Sequence, residues 1–133
     1  MKKNVTVQDH MTPSPHTIGV DQPISKAKEL LRLYEIRHLP VLRGGKLDGV
    51  ISDRDLSLIE QLEVNADRLT VEDVMTSDVF EVAATDLLAD VVTAMAARKL
   101  GSAIVVEHSK VIGILTTVDV CAALGLLLQG KSG

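Results

Sequence analysis

The stretch VQDHMT, Val7 to Thr12, returns as VEDVMT, Val71 to Thr76. The offset of 64 residues carries forward without a gap. It lays Val41 on Val105, Lys46 on Lys110, Gly49 on Gly113 and Asp55 on Asp119. GVISDRD (Gly49 to Asp55) is thereby echoed by GILTTVD (Gly113 to Asp119). Apolar positions agree without identity, as in Ile18 with Val82 and Ile51 with Leu115. A single register held from Val7 to Ser57 is the mark of an internal duplication.

Each copy shows the same order of signals. A short helical turn, VQDHM or VEDVM, comes first. An extended piece follows near His16 to Ile18 and Val79 to Val82; Pro13 and Pro15 bias the first of these away from helix. Next, Ile24, Ala27, Leu31 and Tyr34 share one face at helical spacing, as do Leu88, Val91, Val92 and Met95. Asp21 suits the N-cap of the first such helix and Pro23 an early helical position. Two strands, HLPVL and LDGVIS, then join through Gly44-Gly45, a hairpin signal. Their echoes SAIVV and VIGILT join near His108-Ser109. A helix closes each copy, DLSLIEQL and DVCAALGLLL. The sequence predicts an α+β fold: a β-α-β-β-α unit used twice, over residues 7–63 and 71–129. Glu63 to Thr70 reads as a short polar linker. One unit is near the lower size limit for a self-standing core. The two are therefore expected to pack as a pseudo-two-fold pair through their sheets, with two equivalent crevices.

Apolar residues make up 46% of the 133 and aromatics only 2%, so the core must come from Val, Ile, Leu, Ala and Met. The net charge is −4 and no basic run exceeds Lys2-Lys3, which argues against nucleic acid as a partner. The longest apolar tract, Val118 to Leu128, is broken by Asp119 and Gly125 and is too short to cross a bilayer core of about 30 Å. MKKNVTVQDHM lacks the apolar core of a signal peptide. One cysteine, Cys121, excludes an internal disulfide and fits a reducing compartment; it reads as a small core or interface residue. A cytoplasmic location is expected, with no membrane partner.

MT before the first strand, IRHLPV (Ile36 to Val41) and GVISDRD, in that order and duplicated, resemble the cystathionine-β-synthase (CBS) domain. The paired copies resemble a stand-alone CBS pair, or Bateman module, over roughly Val7 to Leu128. The resemblance implies a regulatory ligand-binding module with no catalytic activity. Its ligand would contain adenosine: AMP, ADP or ATP first, S-adenosylmethionine or NAD less commonly. The ligand would sit in a cleft between the motifs. The resemblance further implies that Asp55 and Asp119 hold ribose hydroxyls. Ser52 and Thr116, with their helix-start neighbours Asp53, Arg54 and Thr117, would approach phosphate. Backbone and apolar groups near the first two strands of each copy, at Ile18, Pro40, Val82 and Ile104, would flank the adenine. Such pairs often dimerise.

The residues have plainer readings too. Ser52-x-x-Asp55 is equally a capping box, in which Ser and acid satisfy orphan backbone donors at a helix start. Arg54 suits phosphate because its planar fork donates two bonds, but it also suits an exposed ion pair. Asp53 would repel phosphate unless it points elsewhere. Arg37-His38 sits at a strand start, where His38 could touch base or phosphate or do neither. Pro40 marks an edge or irregular strand, which leaves backbone groups free for a base edge. The second copy has Gly101-Ser102-Ala103-Ile104 there, and Val118 where Arg54 stands. Its crevice is expected to take a smaller or less charged group through Ser102, Thr116 and Thr117, or to stay empty. His10, His16 and His108 have no metal-ligand spacing, GGK at Gly44 to Lys46 is no P-loop, and no nucleophile–base arrangement stands out. No obligatory cofactor or metal is expected. In the last helix Val120, Ala123, Leu124, Leu126, Leu127 and Leu128 cover more than one face, which predicts a homodimer built partly on that helix. The ligand signal would then leave through the dimer or an unknown effector protein. The alternative is a constitutive dimerisation or protein-interaction module with vestigial clefts.

Overall fold

The computed structural model describes residues 4–62 and 65–130. Lys2, Lys3 and Glu63 lie outside them. A 3-10 turn at Val7–Asp9 leads to β1 (Thr12–Pro13), β2 (Ile18–Gly19), α1 (Ile24–Leu33), β3 (His38–Arg43), β4 (Lys46–Ser52) and α2 (Asp53–Gln61). A second 3-10 turn at Ala66–Arg68 precedes α3 (Val71–Val74), β5 (Glu81–Val82), α4 (Leu88–Arg98), β6 (Ser102–Glu107), β7 (Lys110–Thr116) and α5 (Thr117–Leu128). The fold is α+β, as the duplicated pattern predicts.

The chain divides into two compact units. One runs from His16 to Val79; the other joins the described residues before His16 to those from Phe80 onward. In the first-copy unit β3 is central, parallel to β2 and antiparallel to β4. Its core gathers Ile18, Ala27, Leu31, Leu39, Ile51 and Val71. In the second-copy unit the order is β1-β7-β6-β5. Its core gathers Val7, Val82, Val91, Met95, Leu115 and Ala123. Both cores are aliphatic, as the composition requires.

The opening motif of each repeat is a sheet-edge seal. VQDHMT stands at the head of the first copy, yet Val7 lies in the second-copy core and β1 pairs antiparallel with β7. VEDVMT does the same for the first-copy unit: Val71 is in its core, and Thr76 exchanges both backbone hydrogen bonds with Val50. Thr6 and Thr70 start these turns, each in a capping box with the acid three residues on.

The hairpins are equivalent down to an irregularity. The β3–β4 ladder shifts register between Val41 and Leu42, and β6–β7 between Val105 and Val106. Gly44 and Gly45 turn with φ of 58° and 81°; His108 and Ser109 make the same left-handed turn at 51° and 66° without glycine. Pro40 lies inside β3. It faces Val50, whose own N–H and C=O are used by Thr76, and it precedes the stretch paired with β2. Its counterpart Ile104 donates its N–H to the Phe80 carbonyl at 2.9 Å; Pro40 cannot, and β2 pairs with β3 only from Val41 onward.

Three expectations are corrected. The N-cap of α1 is Pro23, in extended conformation and without a side-chain cap; Asp21 lies outside, because the Ile24 N–H donates to the Leu69 carbonyl. Tyr34 follows the last helical residue of α1, so it leaves the buried face and stacks on His16 with ring centroids 3.6 Å apart. Cys121 is exposed on α5, where Ala123 is the buried residue, so it is not part of the core.

Candidate functional site

In the first-copy unit β4 ends at Ser52 in extended conformation and α2 begins at once. The Asp53 N–H donates to the Arg37 carbonyl at 3.0 Å, and His38 stands opposite Ser52 in the ladder. Arg37, His38 and Ser52 to Asp55 thus meet at one end of the sheet. The Asp55 Oδ2 accepts from the Ser52 N–H at 2.9 Å and from its hydroxyl at 3.0 Å, while Ser52 Oγ accepts from the Asp55 N–H at 3.2 Å. The capping box is therefore present. It occupies one oxygen of the carboxylate, and Asp55 Oδ1 takes no hydrogen bond among the described residues.

Arg54 is exposed and makes no ion pair or hydrogen bond among the described residues. The ion pair open to it on the sequence is not formed. His38 is half-buried, and burial pulls its pKa below the ordinary 6.5. The carboxylates of Asp53 and Asp55 pull the other way and lose, and Arg37 reinforces the depression. The imidazole is therefore neutral near pH 7, within electrostatic reach of both acids.

The second-copy unit repeats this frame. The Thr117 N–H donates to the Gly101 carbonyl at 3.2 Å and Ser102 stands opposite Thr116. Asp119 Oδ2 accepts from the Thr116 N–H at 2.8 Å and from its hydroxyl at 3.1 Å. One contact differs: the Thr12 hydroxyl donates to Asp119 Oδ1 at 2.9 Å. Thr76, its counterpart, makes no such bond to Asp55. The basic groups are missing as well, with Gly101, Ser102 and Val118 at the places of Arg37, His38 and Arg54.

Ile18 and Val82 belong to the cores, and Pro40 and Ile104 are fully buried side chains. A ligand at these four positions would meet mainly backbone. Two features escaped the sequence reading: the Thr12–Asp119 bond and the His16–Tyr34 stack. The repeated MT was the available signal for the first, but it points to Thr12's own copy. An open groove of about 370 Å³ also runs between α1 and α2, with Leu31, Ile36 and Leu56 on its floor and Lys28 ion-paired to Glu60. Of the sequence-predicted site residues it reaches only Asp53. Among the described residues no three of His, Cys, Asp and Glu group as metal ligands, and no helix is long and apolar enough to cross a membrane.

Known proteins share this arrangement. The CBS domain pattern matches the chain twice, at residues 7–59 and 71–126. A homoserine O-acetyltransferase of Methanocorpusculum labreanum is 33% identical over 115 residues, or 85% of this chain. The chain spans only 23% of that relative's length. The solved CBS domain pair of protein MJ0100, in complex with 5′-methylthioadenosine and S-adenosyl-L-methionine, matches with a TM-score of 0.84 at 27% identity. That match covers 92% of this chain and 98% of the other. CBSX2 in complex with AMP, a protein of Arabidopsis thaliana, matches with a TM-score of 0.79 at 32% identity, over 92% and 98% of the two chains. With both copies matched and the repeated hairpin and helix start in place, the chain belongs to the CBS domain family as a tandem pair.

Proposed function

We propose that this protein is a non-catalytic regulatory module that binds an adenosine-containing ligand at the start of α2. The observation that carries the reading is Asp55: among the described residues one oxygen serves the cap and the other remains open, next to an Arg54 that has no partner there. A carboxylate oxygen so placed accepts from the vicinal hydroxyls of a ribose, as the acid of dinucleotide folds does. Arg54 supplies donors for phosphate, beside a Ser52 whose hydroxyl proton stays in the cap. His38 and the backbone around Ile18 and Pro40 border the base, with Arg37 on the rim, while Asp53 faces the α1–α2 groove. AMP, ADP or ATP therefore suits the site better than S-adenosylmethionine or NAD. The solved relatives that hold AMP or S-adenosylmethionine with 5′-methylthioadenosine support the ligand class. Acetyl transfer is not carried over from a relative of which the chain spans 23%. The signal leaves through a homodimer on α5 or through an effector protein, by different ligand affinities for two arrangements. The setting is the cytoplasm, in keeping with a single unpaired cysteine.

One observation favours the alternative of a constitutive interaction module: α5 exposes Val118, Leu124, Leu127 and Leu128. Melting curves separate the two readings. A ligand at a hundred times its Kd adds about 2.7 kcal/mol, enough to raise Tm by several degrees. The expected result is a shift with millimolar AMP, ADP or ATP that Asp55→Ala abolishes. No shift with these, S-adenosylmethionine or NAD leaves only the interaction module.

A further inference from the structure

The two carboxylates of the duplicated motif are equal in sequence and unequal in occupancy. Each uses Oδ2 for its own capping box. At Asp119 the remaining oxygen already receives a hydroxyl, from Thr12 at 2.9 Å. That hydroxyl is a donor of the same chemical kind as a ribose hydroxyl. Thr12 is also held in place by more than this bond. It pairs with Ile114 in the sheet, Pro13 pairs with Gly113, and the Ser14 N–H donates to the Ile112 carbonyl at 3.0 Å. In the first-copy unit the corresponding Thr76 exchanges backbone bonds with Val50, but its side chain leaves Asp55 Oδ1 open.

We infer that Thr12 is a built-in occupant of the second carboxylate, so that the chain takes one nucleoside, at Asp55, and keeps the Asp119 position closed. This deepens the function proposed above and rests on it. The latch is competitive rather than absolute, since a carboxylate oxygen can accept twice; the threonine side chain stands where the ribose hydroxyls must approach. Removing it frees a position with no basic side chain at its helix start, because Val118 replaces Arg54 and Ser102 replaces His38. What enters there is a neutral nucleoside bearing vicinal hydroxyls, without help from a phosphate.

Adenosine is the probe, and isothermal titration of the full chain gives the stoichiometry. Wild type is expected to bind one adenosine per chain, and Asp55→Ala none. Thr12→Ala should bind two, with the added event kept in the Asp55→Ala background and lost when Asp119→Asn is added. Thr12→Ser keeps the hydroxyl and should bind one. If Thr12→Ala binds one like wild type, the latch is refuted while the nucleoside reading stands. Adenosine binding by Asp55→Ala with Thr12 intact that Asp119→Asn removes refutes the latch too, and that arm does not depend on Thr12→Ala folding. If neither wild type nor Thr12→Ala binds adenosine, the latch is refuted, and a titration with AMP then decides the proposed function separately.

Discussion

Met75 is seated on Gly49: a Cβ built on that glycine would stand 2.6 Å from the Met75 Sδ and 2.9 Å from the Thr76 carbonyl oxygen. Gly113 has the same relation to the Met11 Sδ, but there the three nearest atoms all belong to the methionine side chain. A thioether chain can swing away, whereas a backbone carbonyl in a bridge cannot without loss of its hydrogen bond. Gly49→Ala should therefore cost about 1–3 kcal/mol, the usual range for overpacking. Gly113→Ala should cost clearly less. Urea denaturation of the two variants checks the order, and equal losses would show that the Thr76 carbonyl yields as easily as a side chain.

The second hairpin should be open to improvement. His108 and Ser109 hold positive φ with ordinary side chains, where the first hairpin uses Gly44 and Gly45. Left-handed backbone costs a non-glycine residue roughly 1 kcal/mol. Ser109→Gly should recover part of that and raise the stability by a few tenths to about 1 kcal/mol, offset by the greater freedom of glycine in the unfolded chain. A melting curve that moves down instead would mean that the Ser109 conformation carries no strain.

The turn residues show how far a sequence reaches here. Gly44-Gly45 announces its hairpin, and the offset then places the glycine-free one at His108-Ser109. The periodicity of α1 and α4 likewise yields their buried faces, because burial repeats along the chain. The capping boxes at Ser52 and Thr116 are legible because both partners lie within one turn. Thr12 and Pro13 form a strand of two residues, too short for any alternation, and their partner lies some hundred residues on. Tertiary pairing alone decides that Thr12 reaches Asp119. Tyr34 failed for a smaller reason: its helix stops one residue early, which turns a core position into an exposed one.

His38 should give the site a pH signature. Its folded pKa lies below 6.5, chiefly through burial, so the unfolded chain takes up a proton that the folded chain resists. Its contribution to stability is thus intact above the unfolded value, declines as pH falls through 6.5, and levels off below the folded value. Ligand works in the opposite sense. A phosphate held by Arg54 within electrostatic reach of His38 favours the imidazolium, so AMP should bind several-fold tighter at pH 6 than at pH 8, while neutral adenosine should not change. Because AMP's own phosphate titrates near 6, His38→Gln is the control: it should flatten both the AMP profile and the stability slope. A slope unchanged in His38→Gln would assign the pH response to the phosphate or to another group.

The closing helix supplies the last expectation. On α5 only Ala123 is buried, while Val118, Leu124, Leu127 and Leu128 are 70%, 53%, 45% and 79% exposed. Apolar area of that kind on one twelve-residue helix favours association, at about 25 cal/mol per Å² removed from water. A dimer through α5 should weaken sharply when Leu124→Glu and Leu127→Glu place charges in the contact. Neither residue belongs to the core around Ala123, so the fold of the single chain should persist. Light scattering across a dilution series reads both effects: wild type at twice the chain mass of 14.3 kDa, the double variant at the chain mass. Wild type at 14.3 kDa throughout would remove α5 as a dimer surface and leave an effector protein as the carrier of the ligand signal.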